Sequence, residues 1–248
     1  VIALLLEDSI AAHGVLRHLR NVRPRVDGPF MAWDGRTRAG LDLRVVHVPA
    51  RLDDHYVAGR LEARHGARLL IHLGMARGAA SWMEEESRAA GEIVLAGWAC
   101  DLRALEPVQR LLPDLAPEAA VELPAGVEAR RVEATALSEA GLGVGSLALP
   151  LTVAGLAERL RKRLGLALFD TAAAGLLEAC VEVGVDGILG KVLAGSVRPG
   201  GEAWSGGMAA ECLVAESMDR FLEAAGLAKT TDETLRGAQA GTGANLEH

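Results

Sequence analysis

Continuous apolar runs alternate with segments of helical periodicity along most of the chain, which predicts strands and helices in turn. Val1–Leu6 is an unbroken apolar run ending on Glu7-Asp8-Ser9, the pattern of a buried strand leading into a helix cap. Ile10–Leu19 then places apolar residues at roughly helical spacing. Leu41–Val48 predicts a second strand, stopped by Pro49, and Asp53–Arg64 a helix with acidic residues in its first turn and a terminus at His65-Gly66. Arg68–Leu73 is a third buried strand closing on Gly74, and Ile93–Leu95 a short one entered by Gly91-Glu92.

The second half is less regular at first. Leu105–Leu123 carries Pro107, Pro113 and Pro117 and reads as broken helix and loop. Val127–Ala136 predicts a strand, and Leu142–Ser146 a Gly-rich connection. Periodicity returns with a helix over Val153–Leu164, a strand over Leu166–Phe169 and a helix over Ala172–Val183. Leu176, Leu177, Cys180 and Val183 recur there at three- and four-residue spacing. Ile188–Leu193 is the last strand and Ala209–Ala225 a closing helix with Leu213, Met218, Phe221 and Leu222 on one face. From Lys229 onward the chain turns polar and Gly-rich, and Leu246-Glu247-His248 reads as the remains of an expression tag. The expectation is a single α/β domain over 1–228, with 229–248 a polar tail, and neither linker nor internal repeat. Its architecture is three-layer, a mixed, mostly parallel sheet with helices on both faces.

Composition narrows the class of partner. The 248 residues are 50% apolar and carry a formal net charge of −7, which argues against nucleic acid or a strongly anionic surface as partner. The longest apolar runs fall far short of the ~18–20 residues of a membrane span, and no signal peptide is visible. Cys100, Cys180 and Cys212 form no metal spacing, and an odd count predicts reduced thiols and a cytoplasmic setting. His13, His18, His47, His55 and His65 are scattered, so no metal and no cofactor are expected. There is no Gly-x-Ser-x-Gly elbow, Walker loop or His-Glu-x-x-His, and Gly141-Leu142-Gly143-Val144-Gly145 lacks the Rossmann spacing and reads as a turn.

Ligands of open α/β sheets bind beyond the carboxyl ends of the strands, so the residues after each strand are the candidates. The most distinctive are Gly74, Met75, Ala76, Arg77 and Gly78, followed by Trp82 and Glu84–Glu86. Glycines there let backbone amides approach a ligand, Trp82 offers a stacking surface, and one glutamate can orient a substrate. His72, inside an apolar strand, reads first as a hydrogen-bonded core histidine.

Leu43–Glu85 resembles the pyroglutamyl peptidase I family, in the strand ending Val48-Pro49, the helix around Tyr56-Val57, the run Ile71-His72-Leu73-Gly74-Met75-Ala76, and Glu85 eleven residues after Gly74. Leu168-Phe169-Asp170-Thr171-Ala172-Ala173 and Ile188-Leu189-Gly190-Lys191-Val192 continue the likeness. That family's nucleophile falls on Leu177 and its catalytic histidine on Lys191, so its chemistry is not retained; Cys180 lies three residues past the nucleophile position. The chain also resembles the nucleoside phosphorylases and nucleosidases, gap-free from Phe169 to Gly195. There the ribose-binding Met-Glu pair becomes Thr171-Ala172 and the proton-donating aspartate Gly195.

Both resemblances span roughly 41–225 and imply one phosphorylase/hydrolase-like fold, and both imply a homo-oligomer. The first implies a hydrolase with a remodelled site, acting on a small amide, lactam or pyroglutamyl-type substrate. The second implies cleavage of an N-glycosidic bond, and the double loss of catalytic groups allows a non-catalytic small-molecule binding protein. The expected catalytic residues are Glu85, Asp170, Cys180 and Lys191: Glu85 orients, Asp170 sits at a helix mouth, Lys191 neutralises a carboxylate or acts as a base, and Cys180 is a candidate nucleophile. Gly74, Met75, Ala76, Gly78, Trp82 and Thr171 are the expected substrate contacts.

Overall fold

The structure, a computed structural model, describes residues 1–6, 9–27, 30–38, 40–48, 54–105, 131–134, 139–147 and 151–197. The expected helix Ala209–Ala225, Cys212, the residues 106–123 and the polar tail lie outside them. In chain order the elements are β1 (Ile2–Leu6), α1 (Ser9–Leu16), β2 (Arg20–Asp27), β3 (Phe30–Arg36), β4 (Asp42–His47), α2 (Asp54–His65) and β5 (Leu69–Gly78). They continue with α3 (Ala80–Glu85), β6 (Ile93–Asp101), β7 (Arg131–Glu133), β8 (Glu139–Ser146), α4 (Ala154–Leu164), β9 (Leu166–Asp170), α5 (Ala173–Val183) and β10 (Asp186–Ser196).

One sheet holds all ten strands, in the order β10-β6-β8-β9-β5-β1-β4-β3-β2 with β7 beside β6. Because β10 also pairs β5, the strands β10-β6-β8-β9-β5 close into a ring, and β1-β4-β3-β2 extend from it as an open wing. The sheet is mixed but not mostly parallel: five of its ten pairings are parallel and five antiparallel. The reversals come from β2-β3-β4, which fold back on one another in sequence, from β6, which runs against both β7 and β10, and from β9, which runs against β5.

Helices cover both faces of the wing. On one, Ala11, Ala12 and Val15 of α1 pack on Leu4, Leu6, Leu43 and Val45. On the other, Val57, Ala58 and Leu61 of α2 and Leu176 and Ala179 of α5 pack on Ala3, Leu5, Val46 and Leu70. These alternations along β1 and β4 are what a strand buried on both faces requires. A third cluster fills the ring side, with Trp98, Phe169, Leu156 and Leu160 among its members.

Several segments depart from the sequence expectation, among them β3 and α3, which it lacks, and β6, which runs on from Leu95 to Asp101. The Gly-rich stretch expected as a turn is strand β8, because its glycines admit neighbours that any side chain would exclude. A Cβ on Gly143 would collide with the Trp98 ring, and one on Gly145 with Leu102. The third strand does not stop at Leu73: β10 pairs β5 from Leu69 to Gly78, so Gly74, Met75, Ala76 and Gly78 are strand residues rather than an open loop. β2, which carried no periodic signal, is an edge strand with Pro24 inside it and Val22 and Val26 exposed.

Candidate active site

Four side chains from four strands meet on the face that carries α5. Ser146 and Asp170 end β8 and β9 and lie in register with each other. Ser146 Oγ donates to Asp170 Oδ1 at 2.6 Å. Lys191 of β10, completely buried, places Nζ 2.5 Å from Asp170 Oδ2. The same Nζ is 3.1 Å from Nδ1 of His72 on β5. β10 pairs β5 with Leu189 opposite His72 and Lys191 opposite Gly74, so the two side chains share a face and are offset by one pleat. Gly74 leaves the space between them open. A Cβ there would stand 3.2 Å from His72 Nε2 and 3.5 Å from Lys191 Nζ.

Asp170 also tethers the first turn of α5. The amides of Ala172 and Ala173 donate to its carboxylate at 3.2–3.3 Å, and that of Ala174 donates to Ser146 Oγ at 3.0 Å. The anion at this helix mouth is therefore Asp170 itself, favoured by the exposed first-turn N–H groups and the helix dipole. Burial by itself raises the Asp170 pKa. The charge of Lys191 and the bonds from Lys191 and Ser146 outweigh it, holding the carboxyl below its ordinary value. A charge-assisted lysine bond with the remaining lone pairs occupied is the condition under which a buried ion pair persists.

An ammonium only donates, so Lys191 makes Nδ1 of His72 the acceptor, and a neutral ring then carries its proton on Nε2. That nitrogen is on the Gly74 side. The edge of β5 there is distinctive. β1 pairs it as far as His72, and β9 pairs it again from Arg77. Among the described residues, no strand occupies that edge over Leu73–Ala76. Such a parting of neighbours, beyond the carboxyl end of β1 and midway along β5, is where α/β folds open the crevice that takes a ligand.

The other expected site residues fall elsewhere. Glu85, exposed on α3, forms a two-pronged ion pair with Arg161 of α4, one contact being Nη1–Oε1 at 3.1 Å. Arg161 also donates to Ser81 Oγ at 2.6 Å. The Arg161 bond keeps the Glu85 carboxyl below its ordinary value. Trp82 packs in the ring-side core, with the Arg88 guanidinium 5.8 Å over its ring. Cys180 points into the α2–α5 core, where burial and then the charges of Asp54 and Asp186 push its thiol up to about 12, leaving essentially no thiolate. Leu177, at the resembled nucleophile position, is core. Thr171 is half-buried in the bend between β9 and α5, and Met75 half-buried on the opposite face of β5.

Of the expected catalytic residues the fold unites Asp170 and Lys191, and it adds two that sequence reasoning left out. His72 reads from the sequence as a core histidine, and Ser146 ends the Gly-rich segment that reads as a turn and is β8. Ser146 has a signal in its place at a strand's carboxyl end, whereas His72 lies six residues before the end of β5 and has none of that kind. Gly195, where the nucleosidase resemblance expects a proton-donating aspartate, sits in an irregularity of β10 at φ +106°. That backbone strains any L side chain, so the loss of the acid is built into the main chain.

No family model matches the sequence, and no curated protein sequence matches it. Among solved structures, the futalosine hydrolase of Helicobacter pylori strain 26695 is similar with a TM-score of 0.66 at 12% identity, over 90% of this chain and 96% of that one. A 5′-methylthioadenosine/S-adenosylhomocysteine nucleosidase from Neisseria meningitidis, in complex with methylthio-immucillin-A, gives 0.65 at 15% identity, over 91% and 98%. The corresponding Streptococcus pneumoniae enzyme, with the transition-state inhibitor MT-ImmA, gives 0.66 at 14%, over 90% and 98%. These neighbours side with the second of the two resemblances and lend the pyroglutamyl peptidase reading no support. At such identities the likeness is one of architecture: this chain has the fold of the nucleosidases.

Proposed function

We propose that the protein hydrolyses the N-glycosidic bond of a small nucleoside-type substrate bound in the crevice at Leu73–Ala76. The observation that carries this reading is the buried His72–Lys191–Asp170–Ser146 network beside Gly74, in a fold shared over nearly the whole chain with nucleosidases. Hydrolysis breaks the bond between the anomeric carbon and the base nitrogen; water supplies the oxygen, and the base leaves with a proton. His72 is the group assigned to give that proton through Nε2 while its Nδ1 takes one from Lys191, so the ring stays neutral; the proton released by the attacking water returns along the same path to Nε2, and Nδ1 gives its own back to Lys191. Lys191 relays the proton through Nδ1 and fixes the tautomer of the ring, and Asp170 is the positioning residue that holds Lys191. Ser146 and the α5 amides hold Asp170 in turn.

The test is a pool of purine nucleosides, 5′-thioadenosine derivatives and pyroglutamyl amides incubated with the protein and read by mass spectrometry. Release of free base is expected, falling by ~10²–10⁴-fold in His72→Gln with the circular dichroism spectrum unchanged. Base release that His72→Gln leaves intact would remove His72 from the chemistry. A second reading, a non-catalytic binder of such molecules, is favoured by the φ of Gly195. Thermal stabilisation by a nucleoside without any turnover would establish it in place of the hydrolase.

A further inference from the structure

Away from the Asp170 network, the wing carries a cavity of about 660 Å³ lined by Arg23, Arg25, Asp34, Arg36, Asp42 and Arg44, with neighbouring backbone. Small-molecule sites span ~300–1,000 Å³. Strand registers put all six side chains on one face: Arg23 lies opposite Asp34, Asp34 opposite Arg44, and Arg36 opposite Asp42, with Arg25 one pleat beyond Arg23. Four arginines against two aspartates leave this face at +2, in a chain whose net charge is −7. β4, which carries Arg44, is separated from β5 by β1 and from β10 by β1 and β5, so the cavity is distinct from the crevice.

The decisive residue is Arg44. Its side chain is only 7% exposed, Nε donates to Asp34 Oδ1 at 2.6 Å, and Nη1 is buried with no hydrogen-bond partner. Arg36 is engaged by both oxygens of Asp42, at 2.7 and 3.1 Å, and Arg25 shares Asp34 with Arg44. Asp34 is thus shared by two guanidiniums, and its bond to Arg44 leaves Nη1 without an acceptor. A buried guanidinium nitrogen without an acceptor is costly, and an oxoanion relieves that cost by bidentate bonding. We infer that this cavity is a binding site for a phosphate monoester, whose two negative charges match the +2 of the face. The anion engages the unpartnered Nη1 of Arg44 as the exposed side chains of Arg23 and Arg25 shift to admit and clamp it. A guanidinium rather than an ammonium suits such a site, since its planar fork matches phosphate geometry.

The experiment is isothermal titration of the full chain with ribose 5-phosphate and, separately, with inorganic phosphate, using ribose as the control. Ribose 5-phosphate is expected to bind and ribose not. Inorganic phosphate binding as tightly would make the free ion the ligand and overturn the monoester assignment. Arg44→Lys is expected to weaken binding by ~10–100-fold, since it removes the bidentate fork while keeping the charge. Exposed Arg23→Gln, which has no packing role, is expected to weaken it by several-fold at unchanged melting temperature, so the test survives a poorly folded Arg44 variant. His72→Gln is expected to leave the titration unchanged. No heat with ribose 5-phosphate, or binding indifferent to both arginine substitutions, would overturn the inference.

Discussion

Two ion-pair systems in this molecule have opposite hydrogen-bond balances. In the ring, Asp170 receives Lys191, Ser146 and two helix amides, and Lys191 reaches both Asp170 and His72. On the wing, Asp34 is divided between Arg25 and Arg44, and Arg44 keeps a buried nitrogen without an acceptor. The first arrangement is closed and holds its members in one geometry. The second is open, and its deficit is the size and sign of a ligand. A charged pair is therefore informative less by its presence than by which lone pairs and protons it leaves over.

The largest expected effect breaks the closed system. Lys191→Met leaves the Asp170 charge buried and uncompensated, and is expected to destabilise the fold by ~3–5 kcal/mol in urea unfolding. Arg44→Met removes an unsatisfied donor along with its ion pair, and Asp34 keeps Arg25 and partial access to water. Its loss is expected to be less than half that of Lys191→Met. Equal losses would mean that Arg44 is satisfied in solution.

Acid sharpens the same contrast. The Asp170 carboxyl lies below its ordinary 3.8 when folded, so the unfolded chain binds the proton first as the pH drops. Its stabilisation is complete well above 3.8 and is lost as the pH falls through the lowered folded value. Urea midpoints between pH 5 and pH 2.5 are expected to fall in the wild type and to fall less steeply in Lys191→Met, where the cause of the lowering is gone. Asp34 is lowered in the same direction, burial opposing and Arg44 and Arg25 prevailing, but its side chain is 30% exposed. The Asp34 part of the acid slope is expected to shrink in 0.5 M salt, the Asp170 part to persist.

The smallest effect belongs to Glu85. Its ion pair with Arg161 is at the surface, so Glu85→Gln is expected to move the melting temperature slightly at low salt and not at all in high salt. Base release is expected to be unchanged in that variant. A collapse of turnover in Glu85→Gln would move the catalytic site from the ring to the α3–α4 seam.

Local pattern was enough for the elements whose cores are continuous in sequence. Val1–Leu6 and Leu166–Phe169 are strands because every position is apolar, Leu41–Val48 because Leu43 and Val45 fill one face and Val46 the other, and α5 follows from its three- and four-residue spacing and ends at Gly184 with φ +70°. The position of Asp170 at a helix mouth was legible for the same reason. The alternation of such strands with helical segments also carried the α/β class. What the chain could not announce was pairing. β2 exposes its apolar residues because it is an edge, and β8 is a strand because Trp98 and Leu102 fill the places its glycines leave. The union of His72, Ser146, Asp170 and Lys191 likewise depends on the ring closing through β10 and β5, across 119 residues between His72 and Lys191. Spacing along the sequence sets which face a side chain takes within its own strand, but only the registers of separate strands decide which side chains share that face in space.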